Sequence, residues 1–152
     1  MKSKWLLAMV GGAMAAGVML DAAAQAKPEV LVKQRQSAMT LIGKYWGPLG
    51  GMAQGKVPFN AQVVQRNAGY LETLAKMPWD GFDANTKGEK SAALPAVWEK
   101  PGEFKQAQER LESETAKLAQ VAKGGDEAAI KAQMGAVGKA CGGCHETFRE
   151  KR

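Results

Sequence analysis

The chain has 152 residues, with 21 Lys and Arg against 15 Asp and Glu, and a formal charge of +6 at neutral pH. Its basic residues form no dense block interleaved with aromatics, so nucleic acid is a poor partner, and a solvated mixed surface accounts for the excess more simply than a built field. Two cysteines and one histidine fall short of the four ligands of a structural zinc site, and the length fits one domain.

In chain order, the first 24 residues have the pattern of a secretory signal. Lys2 and Lys4 form a basic start, Trp5 to Leu20 is an apolar run rich in Ala, Met and Gly, and Ala22-Ala23-Ala24 offers small residues for cleavage. Cleavage after Ala26 is the alternative, because Ala24-Gln25-Ala26 has the same small-x-small form. The run lies at the short end for a membrane span and contains several glycines, so an exported chain with no membrane anchor after processing is expected, and in a bacterium that places it in the periplasm. The expected organisation is a signal over 1–24 and one domain over 25–152. Removing Lys2, Lys4 and Asp21 takes the charge to +5.

No strand-type alternation and no internal repeat stands out, whereas four helical segments do. The first opens at Pro28-Glu29 and is expected to end at Gly50-Gly51, with Leu31, Ala38, Ile42, Tyr45 and Leu49 on one stripe. The second follows Asn60 as N-cap and runs to Met77, with Val64, Ala68, Leu71 and Ala75 inward. A long connection from Pro78 to Pro95 follows, and its Trp79 and Phe82 predict that it packs onto the bundle. The third helix is expected from about Gly102 to Ala122, with Phe104, Ala107, Leu111, Leu118 and Ala122 inward; Gly124-Gly125 stops it, and Asp126 caps the fourth. Four amphipathic helices with mostly short links predict an all-α, antiparallel up-down-up-down four-helix bundle.

The fourth helix carries the chemistry. Ile130, Met134, Val137, Cys141, Cys144 and Phe148 are spaced four, three, four, three and four, so both cysteines share the core stripe. Cys141-Gly142-Gly143-Cys144-His145 holds both thiols and the only imidazole, the residue types that attach a c-type haem. Each thiol can add to one porphyrin vinyl group, and the histidine can ligate the iron. A thioredoxin-like redox pair would sit in an α/β context, and a disulfide between residues three apart would be strained. Gly135, Gly138, Gly142 and Gly143 each cost about 1 kcal/mol against alanine in a helix, which suggests close approach of a large flat group to the backbone.

On these residues the chain resembles cytochrome c′, the high-spin class II c-type cytochromes. The likeness runs from Lys27 onward and is carried by the C-terminal Cys-Gly-Gly-Cys-His with Phe148 and Arg149, by Arg35 to Leu41, by Pro78-Trp79 with Phe82, and by Pro95 to Trp98. The resemblance implies one covalently attached haem c, with His145 on its iron. It implies that Arg35 and Gln36 contact the propionates, as a guanidinium and an amide facing carboxylates would. Taken alone, Arg35 reads as a solvent-facing helix charge. Arg149 matches an arginine packed against the proximal histidine, where a cation keeps the iron–histidine bond weak; its plain reading is a charge in a basic tail. Met39 matches the residue over the distal face and is expected to act as an apolar lid. Where the family often adds an acidic or hydroxyl contact before the proline matching Pro95, this chain offers Ser91 or Glu89. Met52, Met77 and Met134 read as core or helix-end residues.

The function implied is a periplasmic cytochrome with five-coordinate high-spin iron that binds nitric oxide and carbon monoxide, exchanges electrons with a redox partner protein, or does both. The alternative is a low-spin six-coordinate electron carrier with Met39 as sixth ligand. A haem enzyme ranks last, because no distal histidine or acid–base pair exists to cleave a peroxide bond. The family commonly forms dimers through its first two helices, so a homodimer is expected, with exposed Val, Met or aromatic residues there as its contact.

Overall fold

The computed structural model describes residues 26–151; the segment read as a signal, 1–24, lies outside the described residues. Five α-helices follow one another: α1 Pro28–Ala53, α2 Ala61–Leu74, the single-turn α3 Ala96–Glu99, α4 Pro101–Gly124 and α5 Glu127–Phe148. α1 packs on α2 and α5, α2 on α4, and α4 on α5, so the four long helices close a ring around one core. Leu49, Val64, Leu71, Leu118, Ile130 and Met134 fill that core, none more than 1 % exposed. The architecture is the expected four-helix bundle, with α3 as an unforeseen single turn leading into α4.

The caps lie where their chemistry places them. Asn60 Oδ1 accepts the Val63 amide at 3.0 Å, and Asp126 Oδ1 accepts the amides of Ala128 and Ala129 at 2.9 and 3.2 Å. Gly125 adopts φ +77°, the left-handed conformation that ends α4.

Two helix ends differ from expectation. α1 does not stop at Gly50-Gly51 but continues through Pro48 and both glycines to Ala53. Packing overrides propensity here: Leu49 and Met52 are buried, the Trp46 ring lies 3.3 Å from where a side chain would begin on Gly50, and Val57 lies 3.2 Å from the same point on Gly51. α2 ends at Leu74 rather than Met77. The Trp79 indole N–H takes the Ala75 carbonyl at 2.6 Å, the chain tightens into i→i−3 bonds at Lys76 and Met77, and Met77 is left 55 % exposed. Met52 and Met134 are core residues.

On α1 the buried stripe includes Val32 and Arg35, and Leu31 is half-buried. Tyr45 is half-buried too, with its ring 4.7 Å from that of Tyr70 on α2. The glycines of α5 also depart from expectation. Gly135, Gly142 and Gly143 lie on the exposed face with open space beside them, and only Gly138 meets a flat group at close range, the Trp46 indole at 3.3 Å.

The connection between α2 and α3 is compact. It winds through two 3₁₀ turns, Trp79–Phe82 and Ala84–Thr86, then runs antiparallel to the residues after α5, with Leu94 N–H donating to the Phe148 carbonyl and Glu150 N–H to the Ala92 carbonyl. Trp79 and Phe82 stack on each other and meet Phe104 edge-on, and Phe104 in turn meets Phe148. The predicted packing of this segment onto the bundle is observed.

Candidate functional site

That aromatic cluster borders a cavity of about 820 Å³ between α1, the linker, α4 and α5. Its size falls in the range of cofactor sites. Cys141, Cys144 and His145 line it from α5, Arg35, Gln36 and Met39 from α1, Ser91 from the linker, and Arg149 from the residue after α5. All the residues singled out in the sequence as site candidates are therefore brought to one cavity except Glu89, the rival of Ser91, which is not among its lining.

The spacing of the two cysteines on a continuous helix sets both thiols on its inner side, half-buried and unbridged. Burial, with Cys144 close by, pushes the Cys141 thiol up to about 11, and burial also raises Cys144 against the opposing pull of the Arg149 charge. A redox pair or a thiolate metal site needs the opposite shift. Neutral, half-buried thiols lining a largely apolar cavity suit conversion to thioethers. Among the described residues no group of three or more His, Cys, Asp or Glu side chains is placed to hold a bare metal ion, so the donor set fits a tetrapyrrole that brings its own nitrogens.

His145 follows Cys144 directly, at the edge of the inward stripe. Arg149 caps α5, its amide donating to the His145 carbonyl at 3.3 Å, and its Nη1 lies 3.5 Å from His145 Nε2. The Arg149 side chain is half-buried rather than a free tail charge, and its Nε is buried with no hydrogen-bond partner among the described residues. An orphaned donor beside the imidazole is what a site completed by an acceptor-bearing group would leave.

Arg35 departs most from its plain reading. It is 3 % exposed, not solvated. Its Nη1 donates to the Gly81 carbonyl and to Thr86 Oγ1 at 2.8 Å, its Nη2 donates to Ser91 Oγ at 2.8 Å, and its guanidinium lies 4.5 Å from the Phe82 ring centroid. Desolvation lowers its pKa. The register contained the signal: Arg35 stands three residues before Ala38 and seven before Ile42, on the buried stripe. Gly81 and Thr86 went unnoticed in the sequence, since a glycine and a threonine in a turn-rich linker carry no pattern of their own. Gln36 is exposed at the cavity rim, and Met39 is half-buried in its wall.

A four-helix bundle that turns a Cys-x-x-Cys-His segment into an apolar cavity defines a bundle-type c-type cytochrome. The comparisons agree. The family model described as Cytochrome C′ matches residues 30–149. Cytochrome c′ from Rubrivivax gelatinosus is 44 % identical over 126 residues, covering 82 % of this chain and 98 % of that protein. Its crystal structure superposes with a TM-score of 0.76 at 42 % identity, again over 82 % of this chain and 98 % of the other. The nitric oxide complex of a point mutant of cytochrome c prime from Alcaligenes xylosoxidans gives a TM-score of 0.76 at 36 % identity, over 84 % and 99 %. The chain belongs to the cytochrome c′ family, and the cofactor of that family is a covalently attached haem c with its iron.

Proposed function

We propose that this protein is an exported, periplasmic cytochrome whose haem iron is high-spin and five-coordinate, and that it binds nitric oxide and carbon monoxide, in nitric oxide sequestration, electron transfer, or both. The observation that carries the reading is the make-up of the cavity wall: besides His145 and the two cysteines, the one lining side chain with a donor atom of the kind that ligates haem iron is Met39. Bound, the haem supplies a one-electron centre that also takes a diatomic ligand.

The remaining work falls to the chain. Cys141 and Cys144 would hold the group by two covalent links, and His145 would ligate its iron from the same helix. The Arg149 cation beside the imidazole would keep its bond to iron weak. Met39 and Ile42 present apolar surface from α1 and give no hydrogen bond to a polarised ligand such as oxygen, which favours nitric oxide and carbon monoxide. That the Alcaligenes relative forms a nitric oxide complex supports the choice of ligand. Arg35 and Gln36, with Ser91, line the cavity and would offer propionates a guanidinium, an amide and a hydroxyl. Peroxide cleavage would call for an acid–base pair, and the described lining residues include no carboxylate and no second imidazole, so the reading is a binder and carrier rather than an enzyme.

The basic start and apolar run before residue 25 support export. Val30 and Leu41 on α1 and Tyr70 on α2 are 40 to 47 % exposed, which supports a homodimer through these two helices. Absorption spectra of the purified protein, oxidised, reduced and with carbon monoxide or nitric oxide, test the reading. High-spin spectra in both redox states, with ligand-induced shifts and no change of spin in Met39→Ala, are expected. The second reading, a low-spin carrier with Met39 as sixth ligand, is favoured by the thioether in the cavity wall; low-spin spectra that Met39→Ala abolishes would select it.

A further inference from the structure

Arg35 is a buried cation with no carboxylate partner among the described residues, an arrangement that is costly unless an anion completes it. Its guanidinium has five N–H groups. Gly81 and Thr86 take the two on Nη1 and Ser91 takes one on Nη2, leaving Nε–H and the second Nη2–H without an acceptor among the described residues. Its other close neighbour is the face of Phe82, and the residue lines the cavity.

The hold on Nη1 is fixed from behind. Thr86 is fully buried, and its hydroxyl lies 2.7 Å from the Asp83 carbonyl, to which it donates its proton. The hydroxyl therefore faces Arg35 as an acceptor. Gly81 lets the linker lie this close: a side chain there would begin 2.6 Å from Arg35 Cβ and 2.7 Å from the Leu31 carbonyl oxygen.

We infer that Thr86, through its bond to Arg35 Nη1, is a positioning residue that turns the two remaining N–H groups of the guanidinium toward a haem propionate, and so sets how readily that propionate ionises. The inference rests on the haem reading proposed above. Among the residues lining the cavity, the titratable groups are Arg35 from α1, the two thiols and His145 from α5, and Arg149 after it; the linker and α4 contribute none. An ionised propionate thus has Arg35 as its aligned charge partner on the linker side.

The test measures the midpoint potential of the loaded protein against pH in the parent, Arg35→Gln, Thr86→Val and Thr86→Ser, with far-UV circular dichroism confirming the bundle in each. Arg35→Gln is expected to raise the acidic inflection by roughly one pH unit or more, as loss of an adjacent opposite charge does. Thr86→Val, which keeps volume but removes the acceptor, is expected to move it the same way by a smaller amount, and Thr86→Ser to restore the parent profile. A shift in Arg35→Gln with a parent profile in Thr86→Val overturns the positioning role and leaves the haem reading intact. An unchanged profile in Arg35→Gln removes the propionate partner itself, and this inference with it. Should Thr86→Val fail to fold, a displaced profile in Thr86→Ser, whose hydroxyl is retained, overturns the proposal.

Discussion

The two halves of the chain are held together differently. Residues 93–151 contain nine basic and nine acidic side chains, and all four ion pairs among the described residues lie there, on α4 and α5. Residues 26–92 contain nine basic and five acidic side chains, a surplus of four, with no ion pair among the described residues. In the α4–α5 half, local helical order carries the covalent anchor, and charges cancel between neighbours one turn apart. In the α1–linker half, one buried guanidinium gathers Gly81, Thr86 and Ser91 from 46 to 56 residues away. The α4–α5 half is built from short-range pattern and can hold the group; the α1–linker half is closed by contacts distant in sequence.

The largest expected effect lies in the α4–α5 half. Replacing both thiols, Cys141→Ser with Cys144→Ser, should abolish covalent attachment, so that any haem bound leaves in acidified organic solvent, while either single variant should retain one link. Extraction followed by a haem assay measures this directly. Haem that resists extraction from the double variant would mean that α5 is not the anchor, and the division between the halves would fall with it.

Next comes packing at the seam of α4 and α5. Leu118 is fully buried against the shared core, so Leu118→Ala should cost about 2–5 kcal/mol in denaturant unfolding of the loaded protein. Gly81→Ala should cost less, roughly 1–3 kcal/mol and in the local closure of the linker rather than in global unfolding, because the added methyl pushes that segment off α1 without emptying the core. Its signature should be local: faster proteolysis between Pro78 and Pro95 with the bundle melting as before. If Gly81→Ala unfolded the whole protein as Leu118→Ala does, the linker would belong to the core rather than lie over it.

What could be read from sequence follows the same division. The stripe from Ile130 through Cys141 and Cys144 to Phe148 is a period of three and four, which any helix obeys, and it was legible along with the caps at Asn60 and Asp126. Arg35 was not legible as a buried group from its own chemistry, because its acceptors are a carbonyl and two hydroxyls in a linker with no periodicity. The resemblance to a family supplied the role proposed for it, and the structure supplied its partners. The end of α1 was misplaced for a related reason: Leu49 and Met52 are buried against the other helices of the core, a contact that local propensity does not encode.

The smallest effect concerns the clasp between α4 and α5. Gln133 Nε2 donates to the Glu114 backbone carbonyl at 3.0 Å and to its carboxylate at 2.6 Å. That hydrogen bond, helped by the nearby Lys117 and Arg110 charges and opposed by partial burial, lowers the Glu114 pKa. A carboxylate with a depressed folded-state pKa adds stability above its unfolded value, near 4.3, and loses it as pH falls through the folded value. The contribution is about a few tenths of a kcal/mol, because the pair is only part-buried and solvent screens it. Unfolding measured between about pH 3 and pH 6 should therefore show a shallow acid loss that Glu114→Gln reduces. The same substitution should leave any pH dependence of the haem potential untouched, since Glu114 does not line the cavity. A change in that potential would couple the charge-balanced half to the site and break the separation drawn between the two regions.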